Sequence, residues 1–161
     1  THLVTSDLGR AHHTAQLIAK HVGLEVEPDA RFRERGFGIA EGKTYAEIDQ
    51  QFPEMFSRIR DTDPDFAAPG GESRRQFYER VCAVMNDYAD TYRGKSVLVV
   101  THGGVLAAIY RWLKGLPIAS PHRIEIPNAG YNRLQFDGGV WRIETWGDVA
   151  HLPQRTDSEA I

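Results

Sequence analysis

The 161-residue sequence holds one cysteine, Cys82. An intrachain disulfide is therefore excluded, and so is a cysteine metal cluster. No apolar run approaches the roughly 20 residues that cross a bilayer as a helix. There is no excess of positive charge: 19 basic and 22 acidic residues give a formal net charge of -3. A general nucleic-acid binder or a membrane-surface protein is not expected from such a balance. The first residues, THLVTSDLGR, lack the basic start and apolar run of a secretion signal. With the lone cysteine, this makes the cytoplasm the expected compartment. The chain also lacks an initiating methionine and enters a strand-like stretch almost at once, which is how a sequence cut from a longer one begins.

What remains is an ordinary globular composition, 41% hydrophobic and 25% charged, long enough for one domain with a real core. A short β-friendly stretch, HLVT (2 to 5), leads to a helix capped by Ser6 or Asp7 and stopped at Gly23. LEVE (24 to 27) alternates like a strand. The loop RFRERGFGIAEGKT follows. Thr44 and Glu47 form a capping-box pattern for a short helix, and Pro53 opens another. Residues 61 to 72 read as loop. Ser73 with Gln76 opens a longer helix whose apolar face is Phe77, Val81, Val84, Met85 and Tyr88. VLVVT (97 to 101) reads as a central parallel strand covered on both faces. A helix over 104 to 114 ends at Gly115. YNRLQF and VWRIETW flank Asp137-Gly138-Gly139 as a β-hairpin. The expected organisation is a single domain over 1 to 152, a polar tail over 153 to 161, and a layered α/β fold.

Chemistry gathers in three stretches. In VVTHGG a buried strand runs through glycines into a helix, which concentrates free N–H groups and partial positive charge at one point, an anion site. His102 would stand there, and Gly103 and Gly104 would let an anion approach the backbone. In TSDLGRAHHTA, Arg10 lies in the first turn of a helix and could offer its planar fork to phosphate oxygens. His12 and His13 point about 100° apart and read as surface residues. In FRERGFGIAEG, Glu34 sits among Arg31, Arg33 and Arg35, where a protonated carboxyl could serve a departing alkoxide. Each stretch has an ordinary alternative, namely a strand-ending histidine, a solvated helix arginine and a surface ion-pair loop.

Taken in order, TSDLGRAHHTA, RERGFGIAEGKTYAEI, PGGES and VVTHGG resemble the histidine phosphatase superfamily, the phosphoglycerate-mutase-like group. IPNAGYNRLQF and WRIETWGDVAHL are similar to its bacterial phosphatase-type members. The resemblance implies a three-layer αβα sandwich with a mostly parallel central sheet and a C-terminal β-hairpin. It implies Arg10 and His102, with Gly103, in the phosphate clamp, and Glu34 as proton donor. Arg10, Glu34 and His102 are thus the candidate catalytic residues. No cofactor and no metal are called for.

The family also has a nucleophilic histidine in an Arg-His-Gly motif on the first strand, and no Arg-His-Gly occurs in the sequence. Two explanations stand: the sequence begins downstream of that strand, or the protein binds a phosphate ligand without turnover. The first is preferred, and the molecule is then longer than this chain. Loss of that strand would leave VLVVT with an unpaired flank that invites association, so a homodimer is an allowed state.

The span from Glu34 to His102 is short, and a pocket left open to water favours a phosphatase over a phosphoglycerate mutase. The expected activity is a metal-independent phosphomonoesterase acting through phosphohistidine on a small phosphorylated metabolite. Weak candidates for the pocket wall are Phe37, Tyr45 and Glu72, with Phe56, Arg58, Arg60 and Phe66 behind them. Ser73 is expected to be a helix cap. Asn128 and Asn132 should satisfy turn backbone groups, Trp112, Trp141 and Trp146 should pack, and Cys82 should be a buried thiol. Asp148 with His151 falls short of a metal set.

Overall fold

The computed structural model describes residues 1–60, 63–119 and 123–153, with the side chain of Arg60 outside that description. The tail expected from residue 153 onward lies almost wholly outside the described residues. The chain divides into two compact units, Thr1–His122 and Arg123–Ile161.

In the first unit, strand β1 (His2–Thr5) is followed by helix α1 (Gly9–Val22), strand β2 (Val26–Pro28) and two 3-10 turns, Ala30–Phe32 and Gly38–Ala40. Then come α2 (Tyr45–Gln51), α3 (Pro53–Arg60), α4 (Arg74–Thr91), β3 (Val97–Val100) and α5 (Gly103–Lys114). The sheet is parallel in the order β2-β1-β3 and is flanked by helices, the αβα layering that the sequence implies. The sheet and its helices contribute fully buried Leu3, Val4, Ala15, Val81, Val84 and Val105 to the core.

Helix ends follow local sequence. Gly23 and Gly115 close α1 and α5 in the left-handed conformation, at φ 68° and 63°. Both expected capping boxes form, Thr44 with Glu47 and Ser73 with Gln76. Three details differ from the sequence expectation. The residue before α1 is Leu8, with no side-chain cap, because Ser6 and Asp7 bond elsewhere. Strand β2 is shifted to Val26–Pro28, where its register with Leu3–Thr5 places it. And β3 is half-buried rather than covered; among the described residues it pairs with β1 alone, which is the unpaired flank expected of it, and β1 is the middle strand.

Between the second 3-10 turn and α4 the chain makes an excursion with a small core of its own. Ala40, Ile48 and Met55 are buried there, and Phe52, Phe56, Ile59, Phe66 and Ala68 pack on them. Its two stalks touch closely. Phe37 and Gly71 form an antiparallel bridge, Glu72 N–H donates to the Gly36 carbonyl at 2.9 Å, and Ile39 N–H donates to the Pro69 carbonyl at 3.1 Å. Gly38, at φ 54°, has no room for a side chain, since a Cβ would collide with the Pro69 carbonyl.

The second unit contains the expected hairpin, β4 (Tyr131–Asp137) and β5 (Val140–Asp148), turned by Gly138 and Gly139 at positive φ. Asn132 serves backbone as expected: Gly147 N–H donates to its Oδ1 at 2.8 Å, and its Nδ2 donates to the Gly130 carbonyl. Trp141 packs on Phe136, and Trp146 Nε1 donates to the Glu125 carbonyl at 3.0 Å. Among the described residues no helix is long and apolar enough to cross a membrane.

Candidate active site

Two adjacent parallel strands end side by side, so the residues just past each end become neighbours. Past β1 these are Ser6 and Asp7; past β3 they are Thr101 and His102. Ser6 N–H donates to the Val100 carbonyl at 3.0 Å, which ties the two ends together. Ser6 is fully buried and His102 is 7% exposed. The His102 Nε2 lies 2.8 Å from the Ser6 hydroxyl.

The loop carrying Glu34 is strapped onto this edge. Asp29 N–H donates to the Thr5 carbonyl at 2.8 Å, and the Thr101 hydroxyl donates to the Phe32 carbonyl at 2.9 Å. Arg33 donates two bonds of 2.6 Å to the Asp7 carboxylate, and that pairing holds Asp7 below its usual range. Arg80 reaches the Arg31 and Arg33 carbonyls from α4. So held, Glu34 accepts from the Gly104 N–H at 2.8 Å on Oε2 and from the Arg35 N–H at 2.9 Å on Oε1.

That contact revises the part expected of the glycines. One amide in the first turn of α5, that of Gly104, is taken, but by the protein's own Glu34 carboxyl group. A Cβ on Gly104 would collide with Glu34 Oε1, whereas a Cβ on Gly103 would meet nothing within 4 Å. Gly104 is needed for Glu34, and nothing around Gly103 requires glycine.

Arg10, exposed in the first turn of α1, completes the group. Among the described residues no carboxylate pairs with it. Burial pushes the proton affinity of His102 below its ordinary value, the Arg10 charge pushes it the same way, and Glu34 opposes them. At neutral pH His102 is therefore a neutral ring. Residues 10, 34 and 102, distant in the chain, are thus brought into one electrostatic neighbourhood.

Of the weaker candidates, Glu72 lies nearest. It shares with Glu34 an open depression of about 610 Å³, also lined by Arg33, Gln76 and Arg80, and it is bound by Arg80 through bonds of 2.9 and 2.8 Å. Phe37 and Tyr45 are outside that depression. Phe37 lies 42% exposed beneath the Arg35 guanidinium, and Tyr45 is 71% exposed beside Phe56. Phe56 and Phe66 pack within the excursion, and Arg58 covers Phe66 while pairing with Asp63. His12 is half-buried and His13 exposed. Cys82 is half-buried, and burial pushes its thiol up to about 11. Asp148 accepts from the Ala150 N–H within its own turn. Among the described residues no group of three or more His, Cys, Asp or Glu could hold a metal ion.

Sequence reasoning missed Ser6 as a site residue. A serine directly after a strand reads as a helix cap, and only the adjacency of β1 and β3 shows that it faces a histidine.

A layered α/β unit with its polar groups gathered at the carboxyl edge of a parallel sheet is the architecture of a ligand-binding enzyme of that class. The family model described as histidine phosphatase superfamily (branch 1) matches residues 1–149, and the chain belongs to that superfamily, in which phosphatases and phosphoglycerate-mutase-like enzymes stand together. It is 37% identical over 158 residues to phosphoglycerate mutase-like protein 4 of Arabidopsis thaliana, covering 96% of this chain and 67% of that protein. Bacillus stearothermophilus YhfR superposes with a TM-score of 0.83 at 29% identity, over 93% of this chain and 75% of that one. The mycobacterial glucosyl-3-phosphoglycerate phosphatase in complex with inorganic phosphate superposes with a TM-score of 0.76 at 31% identity, over 94% and 79%.

Proposed function

We propose that the protein is a metal-independent phosphomonoesterase that hydrolyses a small phosphorylated metabolite through a phosphohistidine intermediate. The observation that carries this reading is Glu34 bound to the first turn of α5 at the carboxyl edge of the sheet, directly after His102, with the Arg10 charge acting on that ring. A dianionic phosphoryl group there meets the Arg10 guanidinium, a fork matched to two oxygens, and the His102 ring. The Gly103 N–H points to the same end of the helix. Glu34, in its protonated form, gives its proton to the leaving alkoxide as the P–O bond breaks and a P–N bond forms on the acceptor histidine. Water then attacks phosphorus, the Glu34 carboxylate takes the water proton, and the P–N bond breaks to release phosphate. Charge neutralisation and in-line placement supply most of the acceleration.

The acceptor is the histidine of the Arg-His-Gly motif that the family resemblance calls for, and that motif does not occur in the 161 residues. This chain's share is the clamp and the proton. The compact excursion between Gly36 and Glu72 leaves the depression beside Glu34 open to solvent, which supports water as the final acceptor over a second phosphoglycerate hydroxyl.

The test is hydrolysis of p-nitrophenyl phosphate by the whole protein in EDTA, with the His102→Ala variant alongside. Turnover that survives EDTA and falls by orders of magnitude in the variant is expected, together with an acid-labile phosphoenzyme. Loss of activity in EDTA overturns the mechanism. Faster phosphoglycerate interconversion, dependent on the bisphosphate, would move the protein to the mutases. Phosphate binding without turnover would make it a binding protein.

A further inference from the structure

We propose that Ser6 is a positioning residue for His102: its hydroxyl holds the imidazole by Nε2 and fixes the ring as the tautomer with its proton on Nδ1. The consequence for catalysis rests on the reading of His102 as part of the phosphate clamp; the contact itself does not.

The two side chains are 96 positions apart in the chain, both are buried, and Oγ and Nε2 are 2.8 Å apart. A hydroxyl carries one proton and two lone pairs. One lone pair of Ser6 Oγ faces the Leu8 N–H at 3.3 Å. The Ser6 carbonyl is occupied separately by the Thr5 hydroxyl at 3.0 Å. Nε2 is the acceptor recorded within hydrogen-bond distance of the Ser6 hydroxyl among the described residues. A proton on Nε2 would face a hydroxyl with nowhere to turn its own, and burying an unmade bond is costly. With a bare Nε2, the Ser6 proton, the Nε2 lone pair and the Leu8 N–H each have a partner.

The surroundings act in the same direction. Burial disfavours the charged form of the ring and the Arg10 charge acts in the same sense, while Glu34 from the loop before the first stalk favours that form. Ser6 donation adds to the first side. His102 thus enters the clamp as a neutral Nδ1–H donor, and its orientation is set by the end of β1, the strand that leads to Arg10. One serine couples the two arms of the clamp.

The experiment is nitrogen NMR of ring-labelled histidine in the whole protein, for wild type, Ser6→Ala and Ser6→Thr. Wild type should show the Nδ1–H pattern for His102 above its titration midpoint. Ser6→Ala should lose that fixed pattern and bind the His102 proton at least about threefold more tightly, since a donor to the neutral form has been removed. Ser6→Thr should restore both. If p-nitrophenyl phosphate is hydrolysed, the acid limb of kcat/KM should move to higher pH in Ser6→Ala. A wild-type ring protonated on Nε2 overturns the proposal, and that measurement decides it even if the alanine variant does not fold. An unchanged tautomer and midpoint in folded Ser6→Ala overturns it too. None of the NMR readouts needs turnover, so an inactive protein with the Nδ1–H ring defeats the phosphatase reading and leaves the Ser6 assignment standing.

Discussion

The corner where β1 and β3 end and the excursion built on α2 and α3 lie in one compact unit and are held together in opposite ways. At the corner, Ser6 meets His102, Thr101 meets Phe32 and Glu34 meets Gly104, pairs separated by 96, 69 and 70 positions in the chain. In the excursion, Ile48, Met55 and their neighbours come from one continuous stretch, begun by a local capping box. Long-range contacts in the first case order groups that must act together. Local contacts in the second make a module that can be loosened without disturbing the first. Local stability of this kind varies within a fold according to how many buried contacts each segment makes.

Five changes would break or sharpen that contrast. The largest effect is expected from Gly104→Ala, whose Cβ would drive out the Glu34 carboxylate. If Glu34 is the proton donor, turnover should fall roughly 10²- to 10⁴-fold. Gly103→Ala, with open space at its Cβ, should leave turnover near wild type and stability equal or higher by up to about 1 kcal/mol. Comparable losses in both variants would mean that the corner is not organised around Glu34.

Met55→Ala should cost about 2 to 4 kcal/mol of local stability through the cavity it leaves. Hydrogen exchange should rise over residues 41–68 while the amides of β1 and β3 keep their protection. Equal loss in both regions would dissolve the distinction.

Next comes pH. His102 has its proton affinity lowered by folding, from an ordinary value of 6.5, so the unfolded chain binds the proton more readily. Stability should therefore decline as pH falls below about 6.5, and it should level off once the folded ring also protonates. In His102→Gln the dependence over that window should flatten, as read by denaturant midpoints at a series of pH values. Asp7, held low by Arg33, adds its own loss only at more acid pH.

The smallest loss is expected from Thr44→Ala, which removes the cap of α2 and should cost about 1 kcal/mol, confined to the excursion. A fall in turnover as large as that of Gly104→Ala would show that the module is coupled to the corner after all.

The legible parts of the fold were those written in neighbouring residues. Both capping boxes, the glycine stops at 23 and 115, and the hairpin turn at Gly138-Gly139 each depend on a few consecutive positions. The strand over Val97–Val100 was recognised, and its unpaired flank followed from the missing family strand, but its incomplete burial was not read, because cover is not encoded within a strand. In the candidate site, Arg10, Glu34 and His102 were chosen singly, each with an ordinary alternative. Ser6 was read as a cap, and the two glycines after His102 were read as one feature when they have separate surroundings.

The sequence by itself determined the run of strands and helices, the caps that bound them, the family resemblance and the chemically able side chains. These depend on short-range sterics, periodicity and residue type. The tertiary structure alone decided that Ser6 faces His102, that Glu34 caps the start of α5, and that burial, with the Arg10 charge, lowers the proton affinity of His102. Those outcomes depend on which strand ends lie side by side, a choice made by burial and hydrogen bonding across the whole unit.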